Sequence, residues 1–323
     1  MNDNEINLSI IIPHYNDVIL LEKLLDSIPA KKDVEVIVID DKSDKKEFEQ
    51  YQKLKNNKKF THINFGVNKT NKKGAGVCRN IGLDSASGKW ILFADSDDFF
   101  IEGFYNKVGK YFNSDYEVVF FPPTSIYIDS GKEAERHKKF VEVLNKYSEA
   151  QNLENELQIR YKIPNPISKL IKNGFINKHN LKFDEVIASN DIMFSTKVGY
   201  YMNEFAIDNE KIYCITRNKG SLTVTRTEKV FNSRLSVYIN KINFLRDRLS
   251  QKELDYFTLT GQGFIFNSIK YKFGLKKMID VIKRFRENDI PLFDKKVLNP
   301  IYLFEKLRNH YFIEKNSKKY ISK

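Results

Sequence analysis

Three carboxylates in four residues, Asp95-Ser96-Asp97-Asp98, follow the apolar run Trp90–Ala94. Asp and Ser at a strand end ordinarily bond their own backbone in a turn, which accounts for one or two of these acids. Three so close repel one another unless a cation or strong donors offset the charge. Oxygen ligands of this kind suit Mg2+ or Mn2+, which bridge one or two carboxylates and substrate phosphates. A second acidic pair, Asp40-Asp41, ends the run Val34–Ile39. There a carboxylate either closes an Asx-turn or accepts from a nucleotide base or ribose, as acidic residues do in dinucleotide folds. The histidines His14, His62, His137, His179 and His310 stand singly, without metal-ligand spacing, and His14 reads as a turn residue. No Walker A sequence is present, and Gly74-Ala75-Gly76 lacks the remaining glycines of a dinucleotide fingerprint.

Positioning these acids falls to short buried strands. Leu8–Pro13 is apolar and β-branched without alternation, the pattern of a parallel strand covered on both faces. Val18–Ile28 has helical spacing and ends at Pro29, and Val34–Ile39 is a second strand, so the three form a βαβ unit. Phe48–Leu54 reads as a short helix, Phe60–Phe65 as a third strand, Gly66–Gly76 as a loop and Val77–Ser87 as a helix closed by Gly88. Trp90–Ala94 is the next strand, and three strands thus end in polar or acidic turns at the edge where open α/β sheets bind ligands. Beyond it, Phe104–Phe112 predicts a helix, Glu117–Phe121 a strand, residues 124–160 a polar helical stretch, and Ile163–Ile167 a rigid turn. A helix opens near Asn190-Asp191, Ile212–Thr216 is the last strand, and Arg217–Thr225 is a basic loop. From about residue 228 strand signals give way to helical spacing with Lys, Arg, Phe and Tyr.

With 323 residues the chain is long enough for two domains, or one with an extension. Its 25 Phe and 17 Tyr provide an ample core, which rules out a wholly disordered chain. Two cysteines, Cys78 and Cys214, exclude a disulfide scaffold and a cysteine-rich zinc module, and make a reducing, intracellular setting the expectation. The N-terminal stretch lacks the basic and apolar regions of a signal peptide. No apolar run approaches the roughly 18 residues of a spanning helix. The net charge of +12 points to polyanionic partners. Its basic residues are spread out and no nucleic-acid-binding motif appears, which argues against nucleic acid.

The segments IIIPHYND, VEVIVIDDKS and GVCRNIGLDSASGKWILFADSDDFF, in that order and spacing, resemble the nucleotide-diphospho-sugar domain of inverting GT-A glycosyltransferases of family 2 over roughly the first 105 residues. The resemblance implies an α/β fold of GT-A type: a Rossmann-like, mostly parallel central sheet flanked by helices, with a C-terminal helical extension. It places Pro13, Tyr15 and Asp41 on the uracil, with Asp40 nearby, and the DxD element Asp95-Ser96-Asp97 on the sugar nucleotide. Asp97, with Asp95, would hold Mn2+ or Mg2+, and Asp98 is a weaker ligand. Arg79-Asn80 matches the family's RN, so Arg79 would reach the diphosphate or donor sugar; the alternative is that it anchors its helix to the acidic edge. PNPISKLIKNGFINKHNLKFDE is similar to the segment before the acceptor-side helix. The family's Glu-Asp pair should follow; Asn190 stands for the Glu, and Asp191 remains as the general base or, more plainly, a helix N-cap. Thr216–Thr223 resembles a basic segment that would bring Arg217 over the diphosphate, or is an ordinary loop.

The implied organisation is a catalytic domain over residues 1–227, its nucleotide-sugar half about 1–105 and acceptor half about 106–227, and a helical, basic, aromatic region over 228–323. The implied function is transfer of a sugar from a UDP-sugar to a hydroxyl of a glycan or lipid-linked acceptor, with inversion, in surface polysaccharide or glycolipid synthesis. The alternative is a non-catalytic nucleotide-sugar-binding or scaffolding protein. The expected location is cytoplasmic or peripheral at the inner face of the cell membrane. The C-terminal region is read either as a helical subdomain packed on the catalytic domain or as a surface for anionic membrane.

Overall fold

The computed structural model describes residues 5–217 and 226–294. The chain divides into two compact units, Met1–Arg217 and Asn218–Lys323.

The first unit opens with β1 (Leu8–His14), α1 (Val18–Asp26), β2 (Val34–Asp40), α2 (Lys45–Lys55), β3 (Ile63–Val67), α3 (Ala75–Ser85) and β4 (Trp90–Phe93). It continues through β5 (Phe99–Phe100), α4 (Phe104–Gly109), β6 (Val118–Phe120), β7 (Thr124–Tyr127), α5 (Lys138–Glu149) and α6 (Leu153–Lys162). It closes with β8 (Lys169–Lys172), α7 (Asn173–Lys178), α8 (Ile192–Tyr201), β9 (Phe205–Ile207) and β10 (Tyr213–Arg217).

The main sheet has the order β3-β2-β1-β4-β8-β6-β9. Its first four strands are parallel, β8 runs antiparallel to both neighbours, and β6 and β9 are parallel. Every residue of β1 is buried, because helices cover both faces, which is why its sequence does not alternate. Registration sets the site: His14 lies opposite Asp40 and Ile11 opposite Phe93, so the turns after β1, β2 and β4 open on one edge. A second sheet, β5-β10-β7, begins directly beyond the acidic turn.

Each face of the main sheet has its own core. On one, Leu21, Leu24 and Leu25 of α1 pack with Tyr51 of α2, Trp90 and Phe104. On the other, Phe93 meets Phe183 and Phe194, with ring centroids 5.0 and 5.6 Å away, while Phe183 and Phe194 stack at 4.0 Å.

Two expectations are corrected, and one strand that the sequence pattern does not assign is added. The stretch 124–160 begins with a strand, β7, because Cys214–Arg217 offers it a parallel partner. The segment after Ile167 is a strand, β8, whose pattern is disguised by lysines at both ends. Lys169 is buried and donates to the Ile163 carbonyl at 2.8 Å, and Lys172 donates to the Ser114 carbonyl at 3.1 Å. His14 is no turn residue but the last residue of β1, its ring stacked on Tyr51 with centroids 5.5 Å apart.

The second unit comprises α9 (Glu228–Arg246), α10 (Gln251–Leu254), α11 (Gln262–Lys270) and α12 (Leu275–Glu287) among its described residues. Thr227 caps α9, its hydroxyl accepting from the Val230 amide, and Ser250 with Glu253 forms a capping box on α10. Phe231, Leu235, Ile239, Ile242, Ile265, Val281 and Phe285 make the core. Among the described residues no helix is long and apolar enough to cross a membrane.

Candidate active site

Asp41 sits at the end of β2, buried, with both oxygens engaged. Oδ1 accepts from Asn68 Nδ2 at 2.8 Å and Oδ2 from the Gly74 amide at 2.7 Å, so this carboxylate fixes the loop that leads into α3. Each oxygen keeps a lone pair for a further donor. Asp40 has no exposed surface, and its carboxylate accepts from the Ser43 amide and hydroxyl at 3.1 and 2.5 Å. It is therefore the Asx-turn residue of the pair and supports Asp41 from beneath. Pro13 is buried in β1, whereas Tyr15 is 47% exposed and carries the Lys73 ammonium 3.8 Å above its ring. Pro13, Tyr15 and Asp41 thus gather at one corner of the sheet edge. Burial pushes the His14 imidazole down to about 4, against the pull of Asp40, Glu47 and Asp17, so this ring is neutral.

The acidic turn is divided by function. Asp98 is buried, and its Oδ1 accepts from the Thr216 amide at 2.7 Å, while the Thr216 hydroxyl donates to the Asp97 carbonyl at 2.6 Å. The Asp95 amide donates to the Tyr213 hydroxyl at 2.8 Å, and that hydroxyl also bonds the Asp98 carboxyl. Burial, with Asp97 and Asp95 close by, holds the Asp98 carboxyl well above the usual carboxylate range. It ties the turn to β10. Asp95, Ser96 and Asp97 remain partly exposed. The Asp97 carboxyl is pushed up to about 6, first by burial and then by Asp95, with Arg136 pulling the other way.

That repulsion makes the pair a fit for a cation. Among the described residues no group of three His, Cys, Asp or Glu could hold a metal ion, so a closed structural metal site is not in question there. Two carboxylates are what Mg2+ or Mn2+ needs when phosphates and water complete its shell. Asp97 and the Asp95 oxygen not bonded by Arg79 would supply them.

Arg79 joins the two halves of the site. One guanidinium nitrogen, Nη2, donates to Asp95 Oδ1 at 2.5 Å and the other, Nη1, to Asn190 Oδ1 at 2.9 Å, while the plane lies 5.2 Å from the Phe183 ring centroid. The residue is buried and its Nε has no partner among the described residues. Next to it, Asn80 clamps Phe183 through both backbone groups: Nδ2 donates to the Phe183 carbonyl at 3.0 Å, and Oδ1 accepts from its amide at 2.8 Å. Gly76 completes the junction. A Cβ there would lie 2.3 Å from the Asp184 carbonyl oxygen and 2.8 Å from Asn190 Cβ, so only glycine lets α3 approach this loop.

Asp191 occupies the N-cap position of α8, yet its side chain makes no capping bond. The plain N-cap reading therefore fails, and the carboxylate is left for other use. Burial raises its pKa; Arg79 pulls it back, Asp95 adds to the rise and Lys169 opposes it. Asp191, Arg79 and Asp95 thus share one electrostatic environment. Arg217 ends β10, its guanidinium 5.8 Å from the Tyr127 ring centroid, and residues 218–223 of its basic segment lie outside the described residues. Asn68, Arg136, Lys169 and Asn190 also bear on the site. Only Asn190 carried a sequence signal, as a departure from the acid expected before Asp191.

The family model for glycosyl transferase family 2 matches residues 9–171, half of the chain. The chain belongs to this family. A family 2 relative, the GalNAc(5)-diNAcBac-PP-undecaprenol β-1,3-glucosyltransferase of Campylobacter jejuni, is 36% identical over 115 residues, 35% of this chain and 37% of that one. The glycosyltransferase GlyA of Streptococcus pneumoniae is 26% identical over 257 residues, 74% of this chain and 34% of that one. The match thus spans little more than a third of either relative. The structure of Staphylococcus aureus TarS residues 1–349 in complex with UDP-GlcNAc is similar with a TM-score of 0.62 at 19% identity, covering 88% of this chain and 81% of that one. A mannosyltransferase from Pyrobaculum calidifontis, in complex with GDP-Man and Mn2+, gives 0.56 at 13% identity, covering 96% and 85%. These likenesses establish the fold of this family 2 chain as GT-A.

Proposed function

We propose that this chain transfers a sugar from a UDP-sugar to a hydroxyl of a glycan or lipid-linked acceptor, with inversion, in the synthesis of a surface polysaccharide or glycolipid. The observation that carries the reading is the Arg79 bridge, which ties Asp95 of the acidic turn to Asn190 and so to Asp191. In this reading the donor-side acids and the uncapped, half-buried Asp191 carboxylate belong to one site drawn from separate parts of the chain. The activity of the Campylobacter glucosyltransferase and the UDP-GlcNAc complex of TarS support the donor and acceptor classes.

In this reading Tyr15 and Asp41 seat the uracil, and the loop fixed by Asn68 and Gly74 shapes its pocket. Arg79, held rigid between two oxygens, directs positive charge toward the diphosphate, where leaving-group charge develops. Asp97 and Asp95 would hold a divalent cation, which when bound would supply further neutralisation of the departing diphosphate. Asp191 takes the proton of the acceptor hydroxyl, which is too weak a nucleophile at neutral pH without a positioned base. Its raised pKa strengthens it for that task. Attack opposite the leaving diphosphate inverts the anomeric centre in one displacement. Residues 1–227 carry this chemistry, and 228–323 are a second region, helical where it is described. The test is a panel of UDP- and GDP-sugars with Mn2+, reading thermal shift and released nucleotide. A UDP-sugar should both stabilise the chain and be turned over. Stabilisation without turnover, with acceptors present, would make it a binding protein instead.

A further inference from the structure

Among its described residues the second unit carries an exposed apolar face. Its core takes one side of α11 and α12 through Ile265, Val281 and Phe285. Outside that core stand Phe266 and Ile269 on α11 and Leu275 and Ile279 on α12, exposed to 54%, 58%, 67% and 55%. The spacings of three and four residues put each pair on one helix face. Phe293, also exposed, extends the α11 pair, its ring centroid 6.2 Å from that of Phe266. Half of the exposed large hydrophobic side chains among the described residues fall between Phe266 and Phe293.

From Gln262 to Ile279 the chain has four lysines, Lys270, Lys272, Lys276 and Lys277, and no acidic residue. Lys277 is taken up by ion pairs to Asp280 and Glu228, its side chain 11% exposed. Lys272 and Lys276 are exposed between the apolar pairs, at the turn joining the two helices. We propose that this helical hairpin, α11–α12, docks on an anionic lipid surface, with Phe266, Ile269, Leu275 and Ile279 entering the headgroup boundary and Lys272 and Lys276 meeting lipid phosphates. Interleaved bulky apolar and Lys side chains are what an interfacial helix requires: the former bury, the latter reach up to charge. A second copy of this chain fits less well, because a two-fold interface would set the same lysines against one another. The inference rests on this surface alone and not on the catalytic reading.

The test is flotation of the full chain with phosphatidylcholine vesicles, with and without phosphatidylglycerol. Binding should require phosphatidylglycerol and fall as salt rises. Lys272→Glu with Lys276→Glu should weaken partitioning by about thirtyfold or more, since each basic residue near such a surface contributes about one decade or slightly less. Ile269→Ser with Ile279→Ser should weaken it by roughly tenfold or more. All four positions are exposed, so both variants should keep the parent melting temperature and its donor hydrolysis. Absence of phosphatidylglycerol-dependent flotation overturns the proposal, as does equal flotation of the parent and both variants. A concentration-dependent dimer that the Ile variants dissolve, without vesicle binding, would reassign the face to self-association.

Discussion

Asn80 touches no ligand-facing atom, yet Asn80→Ala should injure the site as much as a direct contact would. Its amide occupies both backbone groups of Phe183, itself buried, and the substitution leaves that amide and carbonyl without partners. Each unsatisfied buried group costs about 1–3 kcal/mol. With partial relaxation the loss is about 2–4 kcal/mol. At a slope of about 2–3 kcal/mol per molar urea for a unit of this size, the midpoint should fall by about 1 M. The chain has a single tryptophan, Trp90, fully buried in β4, so its fluorescence follows the first unit without interference from the second. Loss of the clamp also frees the loop running to Asn190 and Asp191. A displacement of about 1 Å at a reacting group is enough to lower turnover by roughly 100-fold. Turnover should therefore fall by about ten- to a hundredfold while UDP affinity stays within about twofold, because Asp41 and its loop are untouched. A midpoint within about 0.2 M of the parent, together with normal turnover, would refute the reasoning.

Asp191→Asn should leave UDP binding intact and lower turnover by roughly 10²–10⁴, the scale of a positioned base; near-normal turnover would acquit Asp191. A base acts only when ionised, and burial raises the Asp191 pKa, so kcat/KM should climb with pH through an apparent pKa above 3.8, a limb the Asn variant lacks. Asp97→Ala should abolish Mn2+-dependent UDP binding in calorimetry while leaving metal-free affinity near the parent value. Gly199→Ala would bring a Cβ within 2.0 Å of the Arg160 carbonyl oxygen, where α8 crosses α6. Such overpacking against backbone should cost about 1–3 kcal/mol, read from Trp90 fluorescence in urea.

The donor side was legible because its strands are buried runs that end abruptly. β1, β2 and β4 are apolar apart from Ser9 and Glu35 near their starts and the polar ends His14 and Asp40, and the acids fall at the ends of β2 and β4. The C-terminal strands were harder to read. β5 has two residues and β9 three, and β8 begins and ends with lysine, so periodicity has too little to act on. The partners of the acids were beyond reach for another reason. Asp98 meets Thr216 at a separation of 118 residues, and Arg79 meets Asn190 at 111. A local pattern shows that three aspartates need compensation; it does not show that one is taken by a distant strand and another by an arginine. The burial of His14 was likewise hidden, since its cause is the Tyr51 ring of a later helix.

The seam along α3 bears on how such enzymes can be recombined. Gly76, Arg79 and Asn80 belong to the donor-binding stretch by sequence, but, apart from the Arg79 bond to Asp95, what they grip lies between Phe183 and Asn190. Strand β8, from the later stretch, is hydrogen-bonded directly to β4 of the earlier one. A chimera cut near residue 105, pairing this donor portion with a foreign acceptor portion, would therefore break a lock whose two faces have to be shaped together. The natural cassette for exchange is not a contiguous half of the chain but a patchwork in which one helix travels with the loop it holds.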